Sequence, residues 1–135
     1  MTNHLELRVA ERTTFAGGES FGTSGAYERI AGRVHFAVDP AAKAQAGIVD
    51  IDKAARDARG LVHFTADFLL LKPVDMKNGN RRLLFDWANR GNKRCLQFFN
   101  DAPGSNDPRS LAHAGNGFLM RRGYTIAWLA WQGDL

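Results

Sequence analysis

At 135 residues, 44% of them hydrophobic and 24% charged, the chain has the length of one domain and enough apolar side chains for a single core, which excludes a disordered tail. Its net charge of +4 is spread over short basic pairs, Arg81-Arg82, Lys93-Arg94 and Arg121-Arg122; they follow no single face and carry no aromatic platforms between them, so nucleic acid is not an expected partner. No apolar run approaches the roughly 18–20 residues of a membrane span, and the opening MTNHLELRV lacks the basic and apolar segments of a secretory leader. The expectation is a soluble, cytoplasmic protein that engages no membrane. A single cysteine, Cys95, has no CxxC or Cys/His cluster around it and reads as a small packed hydrophobe.

Leu5, Leu7 and Val9 alternate with Glu6 and Arg8, the period-two pattern of a half-buried strand. The Gly- and Ser-rich AGGESFGTSGAY that follows is a loop, because residues with few backbone restraints disfavour any regular element. Across 27–38, Ile30, Gly32, Val34, Phe36 and Val38 face one way and Ala31, Arg33, His35 and Ala37 the other, which predicts a second strand. Asp39-Pro40 closes it, since proline has no N–H for the ladder. The Ala-rich 41–46 is short and uncapped, and Ile48, Val49 and Ile51 predict a brief strand. From 61 to 72 the alternation of Val62, Phe64, Ala66 and Phe68 passes into the continuous run Phe68-Leu69-Leu70-Leu71, as in a strand covered on both faces at its far end. Asn78-Gly79 is a strong hairpin signal; it predicts that this strand and the next are antiparallel neighbours.

Leu83, Leu84, Phe85 and Trp87 predict a buried strand ending at Asn89-Arg90-Gly91. Asn92 is placed to cap a short helix through Phe99, and Asp107-Pro108 forms an N-cap and first-turn pair for a further helical segment. Gly123 stands where a helix C-terminal glycine belongs, after two cations that favour the helix dipole. TIAWLAW, within 124–131, reads as a strand buried on both faces, and a crossover of this length implies that it runs parallel to the preceding strand. The expected fold class is α/β: a β-rich portion, residues 1–75, leading into a strand–helix–strand unit, residues 81–135, in one partial domain. If the final strand is an open apolar edge, it is a template for self-association.

The four histidines, His4, His35, His63 and His113, stand in no metal-ligand spacing. Asp50 and Asp52 mimic the start of a calcium loop without its third acid or its glycine. Neither a metal nor a cofactor is expected. Trp87, Trp128 and Trp131 are read as core aromatics packed on the sheet.

Taken together, the segments FAGGESFGTSGAYERIAGRVHFAVDP, IVDIDKAARDARGLV, DFLLLKPVD, ANRGNK, FNDA and GNGFLMRRGYTIAWLAWQGD resemble the N-terminal part of a family of bacterial α/β-hydrolase domain-containing proteins, esterase-type hydrolases. The resemblance is collinear over nearly the whole chain. It implies an α/β-hydrolase-like sheet, a small-molecule ester substrate in the complete protein, and an oxyanion turn at Asn89, Arg90, Gly91 and Asn92, where a backbone N–H must approach the substrate oxygen. It also places Asp134, at the carboxyl end of the last strand, in the pocket wall. The serine nucleophile of that fold sits on a G-x-S-x-G elbow between a buried strand and a helix. Gly18-Glu19-Ser20-Phe21-Gly22 matches the letters but lies in a loop before the central strands, so Ser20 is read as a loop residue. The serine, acid and histidine are expected beyond Leu135, and the chain alone is expected to be inactive. A non-catalytic module that binds a small molecule or another chain is the alternative reading.

Overall fold

Alternating side chains dictate three long strands in the first half of the chain: β1 (His4–Thr14), β2 (Tyr27–Val38) and β3 (Val62–Pro73). They pair antiparallel in sequence order, with Leu7 opposite Val34 and Ile30 opposite Leu70. A bulge at Ala10 shifts the β1 register between Val9 and Glu11. The computed structural model describes residues 3–87 and 90–130. Its second half adds β4 (Leu83–Asp86), three helices, α1 (Cys95–Asn100), α2 (Leu111–Ala114) and α3 (Phe118–Arg121), and β5 (Thr125–Leu129). β5 inserts between β3 and β4, antiparallel to the former and parallel to the latter, so the sheet order is β1-β2-β3-β5-β4.

The helices cover one face of the sheet. Tyr27, Leu69, Leu71, Ile126 and Trp128 project from the strands into a core completed by Leu96, Leu119 and Met120 from the helices and by Phe15 and Phe21 from the β1–β2 loop. The Tyr27 hydroxyl donates to the Tyr124 carbonyl at 2.9 Å. Burial pushes its pKa well above the usual tyrosine range. Because α1, α2 and α3 span only 6, 4 and 4 residues, they cannot satisfy their own termini, and a buried side chain supplies what is missing. Fully buried Asn100 donates from Nδ2 to the Ala114 carbonyl (2.8 Å) and accepts from the Leu119 N–H at Oδ1 (3.0 Å). One amide thereby joins the ends of all three helices.

These observations correct several expectations. The fold class is not the α/β one, and the α/β-hydrolase-like sheet is not what forms: the described residues are mostly β, a mixed five-stranded sheet with three short α-helices. Pro103, Gly104, Pro108, Gly115 and Gly117 interrupt the crossover, and each removes a backbone bond or favours a non-helical conformation, so no long helix can form. Asn78-Gly79 makes no hairpin. Gly79 has φ −79° and residues 76–78 form a 3₁₀ turn, while the Asn80 N–H donates to the Gly123 carbonyl at 2.9 Å and carries the chain past β5 to the far side. Ile51 lies in another 3₁₀ turn (Ile51–Lys53) and not in a strand. Asp107 caps nothing; α2 starts after Ser110. Nor does Asn92 cap α1, whose first N–H groups go to Asp86. The final strand is interior and offers no open edge for self-association; the edges are β1 and β4.

Leu83, Phe85 and Trp87, expected to be buried, are exposed, Trp87 at 68%: Leu83 and Phe85 sit on the edge strand β4 and point away from the helices, and Trp87 follows directly after it. On that side Ile30, Val34 and Phe68 form a second, smaller cluster within the sheet, flanked by Phe36 stacked on Phe64 with centroids 4.7 Å apart. Gly123, with φ +74°, ends α3 in the left-handed region, and a Cβ there would come within 2.9 Å of the Asn80 N, which fixes glycine at this turn.

Asn100→Ala should cost about 1–3 kcal/mol of stability for the buried donor and acceptor left unpaired, read as a lowered midpoint in urea denaturation. A change under about 0.5 kcal/mol would remove Asn100 from this role.

Candidate functional site

Arg29 interrupts the apolar, helix-facing row Tyr27, Ala31 of β2, and its side chain is only 7% exposed. Burying a guanidinium costs several kcal/mol unless carboxylates compensate it. Glu11 on β1 accepts from Nη1 at 2.8 Å, and Asp107 on the crossover accepts from Nη2 at 2.5 Å. Arg109 closes the ring, donating from Nη1 and Nη2 to Glu11 (2.6 and 3.0 Å) and from Nε to Asp107 (2.5 Å). Hydrogen bonding from Arg109 is the main reason that Glu11 is held below the usual carboxylate range. At Asp107 burial opposes ionisation, but Arg109 and Arg29 outweigh it and its pKa is also lowered. The Nε of Arg29 is left over: it is buried and has no hydrogen-bond partner among the described residues.

From this ring the crossover turns over the sheet. Asn106 accepts from the Lys93 N–H at 2.9 Å, and its own amide reaches Asn92 Oδ1 at 3.2 Å. The loop therefore holds residues 92–93 above β2, β3 and β5. Beneath them lies a cavity of about 510 Å³ with Ala31, Leu69 and Trp128 in its floor and Gly91 and Lys93 in its upper wall. Trp128 is fixed by Asp86, whose Oδ2 accepts from the indole Nε1 (2.6 Å) and from the N–H groups of Arg94 (2.9 Å) and Cys95 (3.0 Å). That carboxylate thus both starts α1 and sets the plane of the ring.

The lining is cationic. Arg8, Arg29, Arg33 and Lys93 face one carboxylate, Asp67, and Asp67 is taken by Arg33 Nε at 2.9 Å. Arg8 is paired with Glu6 at 3.0 Å. Among the described residues Lys93 forms no ion pair. Burial pulls its ammonium below the usual lysine range; the charge of Asp107 works against that shift and the charge of Arg29 adds to it. The wall thus offers one cation outside any ion pair among the described residues, Lys93, beside an indole face, while the Arg29 Nε is sealed from solvent.

Of the residues singled out from sequence, the cavity takes in Gly91, whose φ of +75° follows Arg90 at +50°. Two successive left-handed residues make the sharp turn out of β4 and bring the backbone to the cavity. Asn92 lies beside it, on a second cavity of about 180 Å³, and Arg90 is exposed. Asn89 and Asp134 lie outside the described residues. Ser20 is an exposed loop residue paired across its turn with Ala26 and lines neither cavity. His63 pairs with Asp57 (2.9 Å) at the surface, and the His113 Nδ1 accepts from the Arg109 N–H (3.0 Å). His35 alone of the four lines the larger cavity. Cys95 is buried, and burial together with the Asp86 charge pushes its thiol far above the reactive range. No cluster among the described residues could hold a metal ion, and none of their helices is long and apolar enough to cross a membrane.

Arg29 and Lys93 were not singled out from sequence. The signal for Arg29 was present, an arginine in phase with Tyr27 and Ala31; for Lys93 there was none, because its exposure to the cavity depends on Asn106, 13 positions away. No protein-family model, no curated protein and no solved structure matches the chain.

Glu11 and Asp107 have lower pKa values folded than unfolded, so the unfolded state takes up protons first as pH falls. The ring's stabilisation is complete above the ordinary carboxylate range, about pH 4, and is lost as pH drops through the folded values. The melting temperature should fall on acidification below about pH 4. Glu11→Gln should lower it at neutral pH and flatten the acid limb; unchanged acid sensitivity in that variant would detach Glu11 from the ring.

Proposed function

We propose that this chain binds a small organic anion, an amphipathic carboxylate, in the cavity above Ala31, Leu69 and Trp128. The observation that carries this reading is Lys93, in no ion pair among the described residues, within the cationic lining of an otherwise apolar-floored space. An unpaired cation in a partly dry site gains most from an anion that reaches it. The acyl chain or ring of the ligand then lies on the indole and on Leu69, where apolar area is removed from water. Among the described residues nothing in the cavity wall resembles a nucleophile with its base: no serine lines it, and Cys95 is held as a thiol. The reading is therefore a binding one.

Octanoate, titrated calorimetrically, should bind, and Lys93→Met should weaken it about tenfold or more, the equivalent of about 1.4 kcal/mol. Octan-1-ol, which lacks the charge, should bind both proteins alike. Equal affinity of wild type and Lys93→Met for octanoate would overturn the assignment of the anion to this wall.

One observation favours a second reading, that the chain is a portion of a serine ester hydrolase whose acyl group occupies the same cavity: the Gly91 backbone stands in the cavity wall, where the resemblance to esterase-type hydrolases implies an oxyanion turn. Under it, the carboxylate is the product and an ester the substrate, with the nucleophile supplied from outside residues 1–135. The chain alone should show no turnover of p-nitrophenyl butyrate above background, and Ser20→Ala should change nothing. Hydrolysis abolished by that substitution would return Ser20 to the chemistry and sink both readings.

A further inference from the structure

β1 is an edge strand, paired on one side only, and it is the longest unpaired edge among the described residues, 11 residues against 4 in β4. Such edges are templates for another strand unless charge, bulge or cover prevents it. The outward face of the β1 segment before the bulge carries Leu5, Leu7 and Val9, exposed at 54%, 53% and 54%. They continue the apolar rows of β2 and β3, since Leu5 stands opposite Phe36 and Leu7 opposite Val34. The other face of the same segment carries Glu6 and Arg8, joined by two hydrogen bonds of 3.0 Å.

We infer that β1 pairs antiparallel with β1 of a second copy of this chain, about a two-fold axis through Leu7. The order of residues selects both occupant and register. With Leu7 opposite the partner's Leu7, Glu6 falls opposite the partner's Arg8 and Arg8 opposite the partner's Glu6, so both cross-strand pairs join opposite charges. On the other face Leu5 falls opposite the partner's Val9, and Val9 opposite the partner's Leu5. A two-fold interface must be self-complementary in this sense. Apolar cross-strand pairs and opposite-charge pairs each contribute roughly 0.2–1 kcal/mol, and like charges directly opposite are destabilising. A register centred on Glu6 or on Arg8 would set two like charges against each other, and a slip by one residue would also turn the leucines to the charged face. The bulge at Ala10 limits the shared ladder to the segment before it. The resulting sheet runs through both molecules, with the stacked Phe36 and Phe64 of each copy extending its apolar face.

Sedimentation velocity over a concentration series tests the pairing, with circular dichroism confirming the fold of every variant. Wild type should dimerise. Glu6→Arg alone and Arg8→Glu alone should each be monomeric, because each sets two like-charged pairs across the axis. The double variant E6R/R8E should dimerise again, and an equimolar mixture of the two single variants should form a heterodimer. Phe85→Lys, on the opposite edge, should leave the dimer intact. A wild type that stays monomeric at about 1 mM, a mixture that fails to associate, or a dimer lost with Phe85→Lys would each overturn the proposal.

Discussion

The buried charge of Arg29 is the constraint on which the second half of the molecule depends. A guanidinium among Tyr27, Leu69 and Leu71 is tolerable only with carboxylates close on both sides. They come from separate parts of the chain, Glu11 from β1 and Asp107 from the crossover, 18 and 78 positions away. Meeting that requirement ties the crossover loop to the far strands of a sheet on which it otherwise has little to hold. The consequence reaches the site directly: with Asp107 fixed, Asn106 is fixed, and with it the 92–93 turn over the cavity. Substituting Arg29 would therefore act on the cavity roof as well as on stability, and the two effects would be difficult to separate by that route.

The strands were legible in the sequence because their period survives in the side chains. Residues 27–38 and the 61–72 run coincide with β2 and, within a residue, with β3; Gly123 after the last helical turn has the left-handed φ that its position implies. What alternation does not reveal is which face will be covered. Leu5, Leu7 and Val9 carry the pattern of a half-buried strand, yet the helices lie on the opposite face, and the apolar row remains open. The same limit applies to Leu83, Phe85 and Trp87. Period fixes the geometry of a strand; long-range partners decide its environment.

The turns failed for a related reason. Asn-Gly favours a tight hairpin when the adjacent strands have nothing better to pair with. Here β5 competes for the free edge of β3 and wins, since Ile126 and Trp128 bury on the helix-covered face while Ala127 completes the other. The strand after Asn78-Gly79 is displaced to the far side of β5, and Asn80 is drawn to Gly123 and Arg122 instead (2.9 and 2.6 Å). The helices depart from expectation in the opposite sense. Residues of the capping type and apolar spacing are present in the sequence, but neither Asn92 nor Asp107 caps a helix, and the prolines and glycines of the crossover divide it into pieces too short to stand without Asn100 and Asp86.

Those structural uses of polar groups also explain the charge of the cavity. Asp86 is occupied by α1 and the Trp128 indole, Asp107 and Glu11 by the two arginines, and Asp67 by Arg33. Among the described residues each carboxylate near the cavity is already engaged, and none is left to face Lys93. The excess of cations in the sequence is therefore not spread evenly over the surface; part of it collects where the architecture has used up the acids. A neutral ligand of the same shape would leave Lys93 half-buried and outside any ion pair, whereas a carboxylate would supply it with an acceptor. That difference, rather than the volume of the cavity, is why an anion is the proposed occupant.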